Sequence, residues 1–175
     1  MTQRSAGMQR DLPVPGGAGH GGLADRLWRT GLRCAYLLQL ALWYVLRPHI
    51  RGAYVAVWHG ERVLVIRNSY RRKFSLPAGR LKRGECPAAA AARELAEEVG
   101  IVVPGDALRY VGQIVDASGR VVDHAHIFEL CCEEEPALHV DGREVIWAGF
   151  LSVEQALERG LVNVVRRYLS RSSEP

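Results

Sequence analysis

The chain has 175 residues, of which 48% are hydrophobic and 24% charged, and its formal net charge is +4. This length and composition predict one compact domain with a core of its own and additional chain at an end. None of the four cysteines belongs to a C-x-x-C pair. This argues against a zinc site and a disulfide framework, and it predicts a reducing, cytoplasmic compartment.

The first 48 residues precede the predicted domain and divide into a tail and a helix. Residues 1–22 are rich in glycine and lack a hydrophobic period, so we predict a disordered tail. The segment 23–48 is predicted to be a hydrophobic helix over residues 24–46 that ends before Pro48. Arginines recur at helical spacing in its first half, whereas its second half is apolar on nearly all sides.

This helix is predicted to lie at the surface of a membrane, through residues 24–46. Its apolar half, from Cys34 to Leu46, covers roughly 20 Å, which is too short for a hydrocarbon core of about 30 Å. The flanking arginines and tryptophans suit the headgroup region. Two alternatives stay open: packing on the domain or on a second copy in a homodimer, and a true span. The preferred interpretation is a cytoplasmic protein attached peripherally to the inner face of a membrane.

From Gly52 onward, short apolar runs separated by turn signals predict a domain over residues 50–170. Strands are predicted at 53–58, 62–67, 108–115, 121–132 and 144–150. Helices are predicted at 87–99, 152–160 and 163–169. The segment 68–84 has no clear period and is interpreted as a long functional loop. Together these elements predict an α+β domain in which helices pack against a mixed sheet.

A basic segment in this domain is followed directly by an acidic one. Residues 62–83 contain eight arginines and lysines and no acidic residue. The helix at 87–99 then carries Glu94, Glu97 and Glu98, which its spacing is expected to project away from the apolar stripe. Converging carboxylates without cysteine or histidine favour Mg²⁺ or Mn²⁺. This pattern predicts phosphate binding beside a metal site; a solvated loop next to a solvated helix is the alternative.

The stretch from Gly79 to Ile101, GRLKRGECPAAAAARELAEEVGI, resembles the motif of a known family. It matches the Nudix box, GX5EX7REUXEEXGU, at every defined position. The preceding Leu76-Pro77-Ala78 is also similar to the usual Leu-Pro-Gly lead-in, except that Ala78 replaces a glycine. The resemblance implies an α/β/α sandwich with a mixed sheet over the domain. The hydrophobic N-terminal helix lies outside the resemblance.

The resemblance also implies roles for individual residues. It makes Glu97 and Glu98 the principal metal ligands and Glu94 a further one. A backbone carbonyl, of Gly79 or of Ala78, is expected as another ligand. Glu94 is alternatively the base that polarises water. Arg93 is expected to orient the glutamates, with Glu85 as its partner. The implied cofactor is Mg²⁺ or Mn²⁺.

The implied activity is metal-dependent hydrolysis of a pyrophosphate bond in a nucleoside diphosphate linked to another moiety. The alternative is a catalytically idle Nudix-fold module that binds a nucleotide and reports it to a membrane or partner through the N-terminal helix. We expect a small-molecule nucleotide or other diphosphate as ligand. We expect no nucleic acid, because the carboxylates adjoining the basic loop would repel a long polyanion.

Substrate contacts are predicted outside the motif. The candidates for gripping phosphates and completing the site are Arg71, Arg72, Lys73, Arg80 and Glu144. Weaker candidates for a further ligand or base are Glu129, the run 133–135 and Asp141. His124 and His126 are interpreted as polar positions on a half-buried strand rather than as base-binding residues. No motif specific to a substrate is visible, although the N-terminal helix makes a lipid-linked diphosphate worth testing.

Overall fold

The computed structural model describes residues 23–46, 48–118 and 121–172. The predicted disordered tail at 1–22 lies outside the described residues. The helices are α1 Leu23–Leu46, α2 Pro87–Val99, α3 Val153–Glu158 and α4 Asn163–Ser172. The strands are β1 His49–His59, β2 Arg62–Asn68, β3 Ala78–Arg80, β4 Arg109–Asp116, β5 Val122–Cys132 and β6 Val145–Ser152.

The strands form one mixed sheet in the order β4-β5-β1-β2-β6, with β3 paired to β1. β1 and β5 run parallel along their full length, and the other pairs are antiparallel. β1 meets β2 only at the hairpin end, so its first half is free to pair with β3. The predicted α+β fold with a mixed sheet is therefore confirmed.

Both faces of the sheet are covered, which produces two hydrophobic cores and three layers. On one face α2 packs over side chains such as Val55, Val57 and Leu64. On the other face α3 and α4 pack over Ala56, Val65 and their neighbours. Covering on both faces explains why β1 is buried from Ala53 to Val57 without alternation. The chain thus has the expected α/β/α sandwich.

Two residues define the limits of α2. Pro87 begins the helix, where the missing N–H needs no partner. Gly100 ends it with a φ of 75°, and its N–H donates to the Ala96 carbonyl. The helix packs closely on the sheet because its buried side includes Ala90 and Ala91. These features fix the position of α2, and of its carboxylates, relative to the sheet.

One expectation about α2 was wrong. Glu98 does not project away from the apolar stripe with the other two carboxylates. It is buried on the same side as Ala91 and Leu95, and only 6% of its surface is exposed. The reason is the helical period, since positions 91, 95 and 98 follow one another at spacings of four and three.

Leu95 anchors α2 to the sheet and is fully buried. We expect Leu95→Ala to lower the free energy of unfolding by about 2–5 kcal/mol, because it leaves a cavity under the helix. The Tm should then fall by about 5–15 °C in thermal denaturation. Val102→Ala is the matched control, since Val102 is 83% exposed. Equal Tm values for the two variants would contradict the assigned packing.

The loop predicted over 68–84 contains a strand that the sequence did not reveal. β3 pairs Ala78, Gly79 and Arg80 with Tyr54, Ala53 and Gly52 of β1. Three residues are too few to show an alternating pattern, so no period marks this strand. The pairing ties the start of the Nudix-like motif to the centre of the sheet.

The N-terminal helix α1 lies against the domain. The Arg29 guanidinium donates to the Gly142 carbonyl at 2.6 and 3.0 Å. Arg33 Nε donates to the Ser69 carbonyl at 3.1 Å. Among the described residues, no helix is long and apolar enough to cross a membrane. The alternative of packing on the domain therefore describes the arrangement of α1 in this structure.

Candidate active site

Arg93 stands at the centre of the acidic motif. Its guanidinium donates to both carboxylate oxygens of Glu85, at 2.9 and 3.0 Å. The charge-assisted bonds from Arg93, together with the Lys82 N–H, lower the pKa of Glu85 to about 2. The predicted pairing of Arg93 with Glu85 is present. It clamps the loop before α2 onto the helix itself.

The same guanidinium reaches two further carboxylates of α2. Its Nη1 atom lies 2.5 Å from Glu94 and 3.1 Å from Glu97. Glu94 is half-buried, and burial raises the pKa of its carboxyl despite the arginine. Glu97 is exposed. Arg93 therefore fixes the orientation of both side chains, as an arginine with a planar fork can.

Glu98 lies beneath these groups, between α2 and the sheet. One oxygen accepts from the Ala78 N–H at 2.8 Å and the other from the Asn68 amide at 3.1 Å. Burial, followed by the charges of Glu94 and Glu144, raises its pKa to about 8 against these hydrogen bonds. Asn68 was not predicted as a site residue, because an amide at the end of an apolar strand gives no sign of its partner.

Gly79 lies directly against Glu94. A Cβ built on Gly79 would overlap the Glu94 carboxylate, well inside van der Waals contact. The first glycine of the motif thus lets the backbone approach the Glu94 carboxylate closely. This places the Gly79 backbone beside the acidic group, where the resemblance had assigned a carbonyl ligand.

A cleft of about 850 Å³ opens beside these residues. We call it the carboxylate cleft. Its domain side carries Arg80, Lys82, Arg93, Glu94 and Glu144. Glu144 lies directly before β6 and accepts a hydrogen bond from the Tyr70 hydroxyl at 3.2 Å. Of the acidic candidates beyond the motif, Glu144 is therefore the one that lines the cleft with Glu94.

A second cavity of about 310 Å³ shares the β3 residues Ala78, Gly79 and Arg80 with the carboxylate cleft. We call it the polar cavity, because Tyr54, Asp116, Asp123 and Asn163 contribute to its lining. The Tyr54 hydroxyl donates to Asp123 Oδ2 at 2.9 Å. The other oxygen of Asp123 is buried without a hydrogen-bond partner among the described residues, and burial raises its pKa. These residues were not predicted, since they are scattered over four elements.

The predicted phosphate-binding residues differ in position. Arg71 and Arg80 line both cavities, and Lys73 lines the polar cavity. Arg72 is exposed and contributes to neither. Arg71 lies 5.5 Å from the ring centres of Tyr36 and Tyr70. The basic loop therefore supplies Arg71, Lys73 and Arg80 to the region where the two cavities meet.

Among the weaker candidates beyond the motif, Glu129, Glu135 and Asp141 have structural partners away from the cleft. Glu129 pairs with Arg109 and accepts from the Tyr168 hydroxyl. Within the run 133–135, Glu135 pairs with Arg62 at 2.7 Å. Asp141 accepts backbone N–H groups and closes the turn before β6. None of these acids lines either described cavity.

The histidines of β5 likewise bond to neighbouring strands. His124 lies 3.1 Å from a ring nitrogen of His49. His126 contacts Tyr110 and Gln113 of β4. Neither histidine lines the carboxylate cleft or the polar cavity. The interpretation of both as polar strand positions accounts for these contacts.

Comparison with known families decides the identity of the domain. The NUDIX domain matches residues 48–171, which is more than two thirds of the chain. The chain belongs to the Nudix family. It is therefore assigned to the hydrolases of phosphoric anhydride bonds, and the resemblance of the motif at 79–101 is confirmed.

Solved Nudix structures share the fold at low sequence identity. The MutT NUDIX hydrolase from Burkholderia pseudomallei has a TM-score of 0.61 and 20% identity, over 72% of this chain and 98% of that one. The NUDIX domain of Shewanella oneidensis NrtR, complexed with ADP ribose, has a TM-score of 0.60 and 16% identity, over 72% of this chain and 87% of that one. The E. coli dihydroneopterin triphosphate pyrophosphohydrolase has a TM-score of 0.58 and 18% identity, over 70% of this chain and 95% of that one. No curated protein matches the sequence significantly.

The Nudix motif of this chain presents the donors that a hard divalent cation prefers. Glu94, Glu97 and Glu98 offer carboxylate oxygens, and the Gly79 backbone approaches Glu94 without a side chain between. Among the described residues, no three acidic, histidine or cysteine side chains are grouped as metal ligands. Glu94 and Glu97 are bound to Arg93 instead. The residue types fit a metal, provided that these two carboxylates exchange the arginine for it.

We expect Arg93 to act as a positioning residue, because its planar guanidinium bonds to several carboxylates at once. Arg93→Lys keeps the charge but loses the paired bonds to Glu85 and the simultaneous contacts with Glu94 and Glu97. We expect kcat to fall on the order of 10-fold, with a smaller change in KM. Steady-state kinetics on a nucleotide substrate measure this, with Arg72→Lys as the exposed control. Equal kinetic constants for Arg93→Lys and wild type would contradict the orienting role.

Proposed function

We propose that this Nudix protein hydrolyses the pyrophosphate bond of a nucleoside diphosphate linked to another moiety, with Mg²⁺ or Mn²⁺ as cofactor. The observation that carries the proposal is the arrangement of the motif carboxylates beside an open cleft: Arg93 orders Glu85, Glu94 and Glu97, and Asn68 with the Ala78 N–H holds Glu98. A cleft of about 850 Å³ is of the size that binds small molecules.

The residues that would hold the metal are Glu94, Glu97 and Glu98, with the Gly79 carbonyl. When bound, the cation neutralises phosphate charge and lowers the pKa of a water molecule. The chain itself supplies positive charge for the remaining phosphate oxygens through Arg71 and Arg80, which line both cavities. Glu144, which lines the cleft, is proposed as a further carboxylate for ligation or proton transfer.

The substrate is proposed to span the two cavities. The diphosphate would lie near Ala78, Gly79 and Arg80, which belong to the lining of both. The polar cavity offers Asp123 and Asn163 to hydrogen-bonding groups of a nucleoside. The Nudix domain that binds ADP ribose has the same fold, which supports a ligand of this kind.

The proposal is tested by product release across a panel of diphosphates. The panel contains nucleoside triphosphates, nucleotide sugars, dinucleotides and prenyl diphosphates, each with Mg²⁺, Mn²⁺ or EDTA. We expect cleavage of at least one class that depends on the divalent cation and stops with EDTA. Tight nucleotide binding without turnover in any condition would contradict an enzyme and favour the idle binding module.

We also propose that α1 attaches a cytoplasmic protein to the inner face of a membrane. Support comes from large apolar side chains that α1 leaves exposed, among them Leu27, Trp28 and Leu46. A homodimer through the same surface is the competing proposal. Flotation with anionic liposomes separates the two: recovery with the vesicles supports attachment. A protein that stays below the vesicles and sediments as a dimer supports self-association.

A further inference from the structure

The helix α1 forms one wall of the carboxylate cleft, although it lies outside the segment that matches the Nudix family. Leu32, Leu38 and Leu42 line the cleft from this side. The opposite side carries Arg93, Glu94 and other charged groups. The cleft is therefore amphipathic, with a charged floor on the domain and an apolar wall on α1.

Polar and aromatic contacts fix α1 in this position. Arg29 and Arg33 donate to backbone carbonyls of the domain. Farther along the helix, Tyr36 lies 5.5 Å from the Arg71 guanidinium, and Trp43 lies 5.5 Å from that of Arg80. Both arginines are cleft-lining residues. The helix thus contacts directly the two arginines that are proposed to bind phosphate.

The apolar wall is largely uncovered. Leu38 is 74% exposed and Leu42 is 56% exposed, and both line the cleft. Exposed leucines that line a ligand-sized cleft indicate apolar surface for a ligand to bury. A sugar or a second nucleotide would leave these leucines against polar groups, whereas an aliphatic chain would cover them.

We propose that the substrate is an amphiphilic diphosphate whose aliphatic chain lies along α1 while its phosphates lie at Arg71, Arg80 and the motif carboxylates. The charge of the floor matches the diphosphate, and the leucines of the wall match the chain. Specificity for the chain then resides in Leu38 and Leu42. This inference rests on the proposed function, since it names the moiety attached to the diphosphate.

Two matched ligand pairs test the inference with the full chain. One pair is geranyl diphosphate against dimethylallyl diphosphate; the other is CDP-dioctanoylglycerol against CDP-glycerol. Dissociation constants are measured by calorimetry below the micellar concentration, with Ca²⁺ in place of Mg²⁺ to slow turnover. We expect the longer chain to lower Kd by about tenfold or more in at least one pair, since each buried methylene contributes up to about fourfold. Equal Kd values within each pair would overturn the inference.

Matched variants of α1 locate the chain. Leu42→Gln is expected to raise the Kd of the long-chain ligand about fivefold or more and leave that of the short one unchanged. Leu37→Gln is the control, because Leu37 is 63% exposed on the same helix and lines neither described cavity. Equal weakening of long and short ligands by Leu42→Gln would show disturbance of the helix only and would overturn the assignment.

The two pairs also separate the sources of the chain. Stronger binding of CDP-dioctanoylglycerol identifies a nucleotide-activated lipid. Stronger binding of geranyl diphosphate identifies an isoprenoid diphosphate, and the isoprenoid then takes the place of the nucleoside in the proposed function. Chain-dependent binding without hydrolysis in Mg²⁺ would refute the proposed function and leave α1 as the binding site of an amphiphilic ligand that is not a substrate. Metal-dependent hydrolysis without chain preference would do the reverse.

Discussion

Glu97→Gln and Glu98→Gln should each lower kcat by about 100-fold or more on a diphosphate substrate, since each removes a carboxylate proposed to hold the metal. Both variants should keep a Tm close to that of wild type, for different reasons. Glu97 is exposed, so its replacement should leave the Tm unchanged. Glu98 is buried, and its replacement removes a carboxylate whose pKa is raised to about 8 mainly by burial. Glu98→Gln removes this penalty of burial, and Asn68 can present its amide oxygen to the new NH2 group, so the Tm in EDTA should stay close to that of wild type.

Steady-state kinetics and thermal denaturation on the same preparations check this prediction. Glu134→Gln is the matched control, since Glu134 is exposed and lines neither described cavity. It should retain the kinetic constants of wild type. Full turnover by Glu97→Gln and Glu98→Gln would rule out the assignment of both as metal ligands. A loss of turnover with unchanged Tm would separate chemistry from folding.

Gly79→Ala should lower kcat by about 100-fold, because the new methyl group would occupy the space of the Glu94 carboxylate. Only the end of a flexible side chain has to move, so the fold should persist. Displacing a reacting group by about 1 Å costs about 100-fold in rate. The Tm is therefore expected to stay close to that of wild type while turnover is lost.

A double-mutant cycle with Glu94→Ala tests whether Gly79 acts through Glu94. With the carboxylate removed, Gly79→Ala should have little further effect on kcat, because the obstacle is gone. Additive losses would show that the methyl group disturbs something else, such as the pairing of β3 with β1. The kinetic constants of the four proteins in the cycle decide between these results.

Much of the fold was predictable because the signals are local. The limits of α2 follow from Pro87 and Gly100, and the start of α3 follows from the capping box of Ser152 with Gln155. Long apolar strands such as β2 were placed nearly to the residue. The strand β3 escaped prediction because three residues carry no period. Its presence depends on pairing with β1, which is distant in sequence.

The candidate site was predictable where the motif is contiguous and hidden where the fold assembles it. Spacing placed Arg93 beside the carboxylates, and the structure pairs it with Glu85. Spacing did not reveal that Asn68 holds Glu98, since these residues are joined only by tertiary packing. Nor did it place α1 over the cleft, because Tyr36 and Trp43 are read from sequence alone as part of an apolar helix.

The most direct test of the account is hydrolysis of a responsive diphosphate in H₂¹⁸O, followed by ³¹P NMR and mass spectrometry of the products. We predict two phosphate-bearing products, one of them carrying a single ¹⁸O, in Mg²⁺ or Mn²⁺ and none in EDTA. This result would place the attack of water at phosphorus of the anhydride bond. Release of an intact diphosphate, or an equal rate in EDTA, would contradict a metal-dependent pyrophosphate hydrolase.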